Sequence, residues 1–513
     1  MSSANRIVKN TGILYAKMGL TVFISLYTTR LILVSLGVND FGIFNLVGGA
    51  IAMLTFLNSA MAAATQRFMS FSQGAQDFDK QRSIFNVSII LHLSIALIIV
   101  IILEVVGYFL FHGVFKIPPD RIDSAKLVFQ FMVFSTAFTI ISVPYDAVIN
   151  AHENMLLYSV LGVLETLMKM GIAVYLLSSP FDKLVTYGFL VALLSVVLLI
   201  IRRIYCHRKY EECKIDIRKY FSRTIFTELT GFASWSLLGA STSMIANYGQ
   251  GIMMNFFFGP IVNTAQGIAG QVSGQLGVFA VTMQKALNPV IDKSEGAGDR
   301  SGMLRASLMG SKVSFFLLML FYIPVLIEMP FIFNLWLKQV PEYTIVFCRL
   351  LLIRNLVEQL FINLGAAIAA VGNIRRFQIY NSVLNFAPLV LSFIFFKMGF
   401  PPSTLYLVFI VYSICSSIML TYFAKVNCGL SVKDYLTNVV LRSLGVLLIS
   451  LILSFCPILF FGPGALRLFI VIAISGLAFL ILIWTIGFSS SEKIGIINVF
   501  HSLTSKLLSK KSN

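Results

Sequence analysis

The sequence predicts an all-α polytopic membrane protein with 14 transmembrane helices, and two properties of the chain lead to that fold class. It has 513 residues, of which 58% are hydrophobic and only 12% are charged, whereas soluble domains carry about 25% charged residues. Apolar runs of about 20 residues recur along the whole length, which is the number that a helix needs to cross a hydrocarbon core of about 30 Å. A membrane β-barrel would instead alternate apolar and polar residues in segments of about ten.

Fourteen such runs can be placed along the chain. The first is not a cleaved signal peptide, because Lys17 interrupts it, it continues to Ser35, and no small-residue cleavage site follows. An even number of spans places both termini on one side of the membrane. The predicted spans, from the first to the fourteenth, are residues 11–35, 41–64, 84–111, 122–148, 155–177, 184–201, 231–257, 263–284, 313–333, 343–371, 376–396, 403–424, 443–460 and 468–487.

The distribution of cations predicts the orientation. Of the 39 Lys and Arg residues, 27 lie in loops on the side of the termini and 6 in loops on the other side. Because cytoplasmic loops are enriched in Lys and Arg, both termini are predicted to be cytoplasmic. The same distribution accounts for the net charge of +17 without nucleic acid as a partner. The six cysteines are scattered without a metal-ligand pattern, so neither a metal nor a cofactor is predicted.

The chain contains an internal repeat. Residues 37–77 align with residues 259–299 at a constant offset of 222, which carries the first two spans onto the seventh and eighth in the same direction. Transporters are commonly built from such repeats, with the substrate path between the halves. We therefore predict an N-terminal lobe over 1–216, a C-terminal lobe over 217–430, and a segment 431–513 with the last two spans and a cytoplasmic amphipathic tail. Identical pairs include Gly37 and Gly259, Gly48 and Gly270, Gly74 and Gly296, and Asp77 and Asp299.

The tenth span carries the most informative charges. Arg354 and Glu358 are four residues apart near its middle, so they can pair on one helix face, and Asn355 and Gln359 extend a polar stripe beside them. Arg349 lies a turn and a half away. A charge at mid-bilayer costs about 2.5–3.5 kcal/mol on insertion scales and needs a partner or a cavity. The pair either lines a lumen or locks helices together, and the number of polar groups favours the lumen.

Spans one and five carry the other central charges. Glu165 and Lys169 are again four residues apart, and a lumen and a structural ion pair are equally compatible with them. Lys17 and Arg30 are thirteen residues apart, about 140° around a helix. A straight helix cannot direct both at one wall, so Lys17 is the better lumen candidate, while Arg30 either joins it or reaches the outer interface.

Spans seven and eight carry amides rather than charges. Asn247 and Gln250 lie on one face of the seventh span. Gln271 shares one face of the eighth span with Thr264 and Gln275. Small residues in these spans are also consistent with close helix packing. The amides exceed what packing requires, so we expect them to hydrogen-bond a neutral polar group of a ligand.

The first turn, with Arg30 before it and Phe41, Gly42, Ile43, Phe44 and Asn45 after it, resembles the start of Wzx-type polysaccharide flippases. These belong to the multidrug/oligosaccharidyl-lipid/polysaccharide exporter superfamily, which also holds the multidrug and toxin extrusion proteins. The motifs GAQD and GAGD after spans two and eight fit the same resemblance. It implies two six-helix lobes in a V around a central lumen, plus two C-terminal helices. It also implies a lipid-linked oligosaccharide substrate for lipopolysaccharide O-antigen or capsule synthesis in the bacterial inner membrane.

On this interpretation the protein is a flippase and not an enzyme. A membrane polymerase or ligase would carry a large outer catalytic loop, whereas the longest outer loops here have about ten residues. Coupling to H⁺ or Na⁺, contact with membrane lipids, and association with polysaccharide assembly proteins are the further partners implied. A cation-coupled drug antiporter and a lipid II flippase remain alternatives. The expected substrate-binding residues are Lys17, Arg30, Lys169, Arg349, Arg354, Asn247, Gln250, Gln271, Asn355 and Gln359, and the expected ion-coupling residues are Glu165 and Glu358.

Overall fold

The computed structural model describes residues 3–52, 55–114, 117–337, 340–490, 492–494 and 497, and within these ranges the regular structure is entirely helical. Most of the predicted amphipathic tail, residues 498–513, lies outside the described residues. The α-helices are α1 (Ser3–Ala52), α2 (Thr55–Gly74), α3 (Phe78–Phe109), α4 (Ile122–Ala151), α5 (Met155–Ser178), α6 (Lys183–Lys209), α7 (Ile217–Tyr220), α8 (Arg223–Gly296), α9 (Arg300–Trp336), α10 (Thr344–Val371), α11 (Arg375–Lys397), α12 (Thr404–Cys428), α13 (Val432–Tyr435), α14 (Arg442–Phe455), α15 (Pro457–Phe460) and α16 (Ala465–Leu482). Short π-helical segments cover Leu110–Val114, Leu436–Leu441 and Ile483–Gly487, and 3-10 turns cover Pro119–Arg121 and Glu211–Cys213.

The helices agree with a polytopic membrane protein. Ten helical stretches among the described residues are long and apolar enough to cross a bilayer. The four predicted spans outside this set are the second, seventh, eighth and tenth, and their described residues are helical. The tenth corresponds to α10, whose apolar stretch is interrupted by Arg349, Arg354 and Glu358. The spans that are less apolar thus include those from which the sequence predicts a polar path.

The turns predicted after spans one and seven are shorter than expected. The sequence predicts a turn through residues 36–42 between the first two spans, but helical bonding continues through it, and only Gly37 departs from helical geometry, with φ 76° and ψ 172°. Gly259 in α8 has φ 79° and ψ −174°, so α1 and α8 are each two helices joined at a single residue. A positive φ is accessible to glycine at little cost because it has no Cβ. The two breaks lie 222 residues apart, as the repeat predicts.

The motifs GAQD and GAGD also fold alike. Gln76 and Gly298 occupy the third position of each motif, and both have positive φ, 56° and 75°. The carboxyl group of Asp77 then accepts a hydrogen bond from the backbone N–H of Lys80 at the start of α3, and Asp299 caps α9 in the same way. Each motif therefore ends one helix and begins the next. This equivalence confirms the repeat in three dimensions.

The glycines that open these motifs allow two helix ends to touch. A Cβ on Gly74 would overlap the backbone carbonyl of Lys293, and a Cβ on Gly296 would overlap that of Phe71. The two contacts are related by the same offset of 222 residues, which carries Phe71 onto Lys293 and Gly74 onto Gly296. Only glycine permits backbones to approach this closely.

The chain divides into two compact units. The first consists of Lys9–Ala240 with Asp292–Gly298, and we call it the N-unit; the second consists of Met1–Val8, Ser241–Ile291 and Asp299–Asn513, and we call it the C-unit. The boundaries predicted for the lobes, at residues 216 and 430, stay a prediction. Each unit has its own apolar core, built around α3, α4 and α6 in the N-unit and around α9, α10, α12 and α14 in the C-unit.

Ion pairs fasten the helix ends within each unit. In the N-unit, Arg121 binds Asp40 of α1 and Asp182, which caps α6, with 2.7 Å to the latter. In the C-unit, Arg467 forms a two-pronged pair with the fully buried Glu328, at 2.7 and 2.9 Å. Lys312 was expected to be a loop cation, but it is fully buried and bonds Glu492. Such charges are tolerated in an apolar interior only because they are paired.

Candidate functional site

The predicted pair on α10 is present in the C-unit. The Arg354 Nε donates to Glu358 Oε1 at 2.8 Å, and the two side chains are 13% and 36% exposed. The helix α12 holds both partners, since the Arg354 guanidinium lies 4.7 Å from the centre of the Phe409 ring and Ser413 donates to the same Glu358 oxygen at 2.7 Å. The more buried member is thus the cation, and the carboxylate faces the more open side.

A second polar cluster in the C-unit was not predicted. Asn385 of α11 donates to Thr242 and Ser243 of α8, at 3.0 and 3.1 Å. Its carbonyl oxygen accepts a hydrogen bond from the Tyr412 hydroxyl, and Tyr412 is the neighbour of Ser413 in α12. Helices α8, α10, α11 and α12 are therefore joined by side-chain hydrogen bonds. An asparagine in the middle of an apolar span, here Asn385, is the signal that could reveal this cluster.

The amides beside the pair on α10 face the interior. Asn355 donates to Ser273 of α8 at 2.7 Å and to Tyr322 of α9 at 3.2 Å. Gln359 is 5% exposed and Asn363 fully buried, and their amide nitrogens have no hydrogen-bond partner in the described part of the chain. A buried polar group left without a partner costs about 1–3 kcal/mol, which points to water or a ligand group beside them.

The remaining predicted residues of the C-unit are dispersed. Arg349 donates to the backbone carbonyl of Leu326 at 3.3 Å. Gln250 is buried and donates to the carbonyl of Ala246, one turn earlier. Asn247 and Gln271 are exposed on α8. The structure thus leaves two of the four accessible to a ligand in this conformation.

In the N-unit the structure brings Lys17 to the face of α5 that carries the predicted pair. Lys169 donates to Glu165 at 2.7 Å. The Lys17 ammonium lies 4.3 Å from the centre of the Tyr158 ring, and the end of its side chain covers Gly162, where a Cβ would overlap it. Tyr158, Gly162, Glu165 and Lys169 follow one another at helical spacing of three or four residues, so they share one face.

Arg30 is exposed on α1, and the structure does not bring it to this face of α5. A shallow depression of about 340 Å³ lies between α1 and α5 and is bordered by Lys17, Ser159 and the apolar Val163 and Leu167. Lys17 therefore stands at the boundary between an apolar wall and the polar face. This is the position in which an ammonium group can reach an anion while its stem contacts hydrocarbon.

A buried charge cluster in the N-unit was not predicted. Arg67, one of the 27 cations predicted to lie in loops on the side of the termini, lies within α2 and is partly buried, with its guanidinium 4.6 Å from the centre of the Phe68 ring. Burial lowers the pKa of Arg67, while the nearby Asp292, Glu228 and Glu295 raise it. Burial also raises the pKa of the buried Asp292 to about 8, against the opposing effect of Arg67. Sequence spacing gave no sign of this cluster, because Arg67 and Asp292 are 225 residues apart.

Each unit carries charges that can bind an anionic group. Lys17 and Lys169 accompany Glu165 in the N-unit, and Arg349 and Arg354 accompany Glu358 in the C-unit, so these central residues carry net positive charge within each unit. Each carboxylate is paired with a cation four residues away, and the pair is partly exposed in both units. Protonation of either carboxylate would release its cation for another anion. Among the described residues, no group of three or more His, Cys, Asp or Glu side chains is placed to hold a metal.

Comparison with known proteins identifies the fold. No protein-family model and no curated protein matches the chain. Among solved structures, a MATE in the bent conformation matches with a TM-score of 0.72 and 14% identity, over 85% of this chain and 100% of that one. An outward-facing multidrug resistance MATE family transporter of the MOP superfamily matches with a TM-score of 0.68 and 14% identity, over 84% and 97%.

A third solved structure is a MOP superfamily transporter from Pyrococcus furiosus. It matches with a TM-score of 0.68 and 14% identity, over 84% of this chain and 98% of that one. At this identity the likeness concerns the fold, and the neighbours are transporters rather than enzymes. The chain is an all-helical membrane protein with the fold of MATE transporters of the MOP superfamily.

Proposed function

We propose that the protein is a flippase that moves a polyprenyl-pyrophosphate-linked oligosaccharide from the inner to the outer leaflet of the bacterial inner membrane, for surface polysaccharide synthesis. The observation that carries the proposal is the net positive charge of the central residues. A pyrophosphate is an anion that Lys and Arg bind well, whereas cationic drugs would require carboxylates without cationic partners. Both termini lie in the cytoplasm, as the distribution of cations predicts.

Cationic side chains and amide side chains bind different parts of the substrate in this proposal. Lys17 and Arg354 attract the pyrophosphate, since each is a partly buried cation held over an aromatic ring. Asn247 and Gln271 are exposed amides that hydrogen-bond the sugar hydroxyls. The polyprenyl chain stays in lipid throughout. Translocation then requires two conformations of similar free energy, each opening the polar residues to one side.

Coupling would act through the carboxylates. Glu358 binds Arg354 and Ser413, and Glu165 binds Lys169. H⁺ can neutralise a carboxylate, or Na⁺ can replace the lysine or arginine as the partner of that carboxylate. In either case the released lysine or arginine is available to the pyrophosphate. Ion binding and substrate binding would thereby be linked. Association with polysaccharide assembly proteins would supply and remove the substrate.

A second candidate function is cation-coupled multidrug efflux, which is favoured by the structural likeness to a multidrug resistance MATE family transporter. For the Pyrococcus furiosus neighbour, reverse polarity of the binding pocket is held to suggest a different function, so pocket charge is a reasonable guide within this fold. A lipid II flippase is a third candidate, because it would need the same anion-binding groups.

Deletion of the gene in the host bacterium distinguishes these functions. We expect loss of surface polysaccharide and accumulation of lipid-linked repeat units in the inner leaflet, both restored by the wild-type gene. Normal surface polysaccharide with increased drug sensitivity would support efflux instead. Arrested peptidoglycan synthesis with accumulated lipid II would support the third candidate.

A further inference from the structure

A long apolar groove opens on the C-unit and includes one residue of the predicted site, Arg349, at one of its ends. Its volume is about 940 Å³. The helix α10 forms its floor through Ile353, Val357 and Leu360, and α12 forms one wall through Ile414 and Ile418. The opposite wall is α14 together with the π-helical segment Leu436–Leu441 before it. A π turn is wider than an α turn and commonly marks a functional site in a helix.

The groove wall has no free polar group along most of its length. Between its ends, Ser417 and Thr421 are the hydroxyl residues of the lining, and both donate to a carbonyl one turn earlier in their own helix, each at 2.8 Å. The remaining residues between its ends are aliphatic or aromatic. A charged headgroup therefore cannot pass along the groove without losing its hydration uncompensated. The shape and chemistry fit a hydrocarbon chain that stays in place.

The two ends of the groove differ. At one end Arg349 is already bonded to the Leu326 carbonyl. At the other, Lys425 is exposed at the last turn of α12 beside Tyr422, and its ammonium group has no ion-pair partner among the described residues. From Ile414 to Lys425 the wall is about 16 Å long at 1.5 Å per residue. An exposed cation and a tyrosine at the mouth of an apolar slot provide the charge and polarity that a lipid phosphate needs.

We propose that this groove is a binding site for one anionic glycerophospholipid. One of its acyl chains lies between α12 and α14, and its phosphate binds Lys425 and Tyr422. The lipid comes from the leaflet on the Lys425 side, which the distribution of cations assigns to the cytoplasm. It is a resident lipid and not the transported substrate, because the wall offers the phosphate no path across the membrane. The proposal does not depend on the proposed function.

The test compares variants at the groove with matched variants outside it. The full-length protein is purified in mild detergent with phosphatidylglycerol or phosphatidylcholine added, and the retained lipid is counted by native mass spectrometry. We expect retention of one phosphatidylglycerol, and Lys425→Gln should lower its apparent affinity about fivefold, the loss of one cation at a membrane surface. Lys433→Gln removes an exposed cation that does not line the groove and should leave retention unchanged.

A second pair of variants tests the chain rather than the headgroup. Leu444→Trp fills the slot, whereas Leu448→Trp adds the same bulk one turn further along α14 outside the lining. Only the first should abolish retention, and a photoreactive acyl chain should cross-link to α12 and α14 in wild-type protein. Equal effects of Lys425→Gln and Lys433→Gln would overturn the proposal, since they would indicate surface charge alone. Retention of phosphatidylcholine as strong as that of phosphatidylglycerol, or of a polyprenyl phosphate in its place, would also overturn it.

Discussion

The ion pair of Arg354 and Glu358 allows the sharpest separation of a structural role from a role in transport. The perturbation is a double-mutant cycle of Arg354→Gln, Glu358→Gln and the double variant. A solvated i,i+4 pair contributes about 0.3–0.5 kcal/mol, and breaking a fully buried pair costs about 3–5 kcal/mol. Here the cation is 13% exposed and the carboxylate 36%. We therefore expect a coupling energy of about 1–2 kcal/mol, between these limits.

The single variants should differ in stability. Glu358→Gln leaves a nearly buried guanidinium without its counter-charge, so it should be the more destabilising of the two. Arg354→Gln leaves a carboxylate that is over a third exposed and still bonded to Ser413, so water and the serine relieve part of the loss. Thermal unfolding in detergent provides the stability scale. A coupling energy near zero would refute the inference that the two side chains act as a packed pair.

Measuring polysaccharide export then tests whether the Arg354–Glu358 pair takes part in transport. The double variant removes both charges and keeps two amides that can still bond each other, so it should recover most of the stability. If Arg354 attracts the pyrophosphate, this variant should remain defective in surface polysaccharide despite normal protein levels. Normal export by the double variant would assign the pair to packing alone.

Further predictions concern the helix crossing, the buried carboxyl and the lysine of span one. Gly74→Ala should lower the free energy of unfolding by about 1–3 kcal/mol, because its Cβ overlaps the Lys293 carbonyl. Gly270→Ala has open space inside α8 and should stabilise by up to about 1 kcal/mol, and equal melting temperatures of the two variants would contradict this. Asp292, with its pKa raised from 3.8 to about 8, contributes stability that is full below pH 4 and is lost as pH rises through 8. The melting temperature should therefore fall between pH 6 and 8 and Asp292→Asn should flatten that fall, whereas an unchanged slope would exclude Asp292 as its source. Lys17→Gln should reduce export about tenfold, equivalent to 1.4 kcal/mol of lost substrate or transition-state binding, and normal polysaccharide levels would remove Lys17 from the mechanism.

Features set by local spacing could be predicted from the sequence. The apolar runs predict the helices. The i,i+4 spacing predicts both the Glu165–Lys169 and the Arg354–Glu358 ion pairs, because residues four apart on a helix face are neighbours whatever the tertiary fold. The constant offset of 222 gave the repeat, which the matching geometry at Gly37 and Gly259 confirms.

Features set by tertiary packing could not be predicted. The turn after span one was expected to be a loop, because Gly-Val-Asn-Asp is rich in turn residues, yet Gly37 alone breaks the helix. The electrostatic interaction of Arg67 with Asp292 joins residues 225 positions apart. The ion pair of Lys312 with Glu492 joins residues 180 positions apart. Spacing within α11 does not reveal the role of Asn385, because its partners lie on another helix. Sequence spacing finds pairs within one helix, and only the assembled helices reveal the rest.

The central claim is that the protein translocates an anionic lipid-linked oligosaccharide, and a reconstituted transport assay tests it most directly. Proteoliposomes carrying a polyprenyl-pyrophosphate-linked oligosaccharide are treated with an external glycosidase, and the fraction of substrate that is cleaved is followed over time. We predict that wild-type protein exposes the substrate of the inner leaflet and that a variant with both Lys17→Gln and Arg354→Gln does not. Cleavage limited to the outer leaflet in both samples, with uptake of a cationic dye by the wild type, would contradict the account.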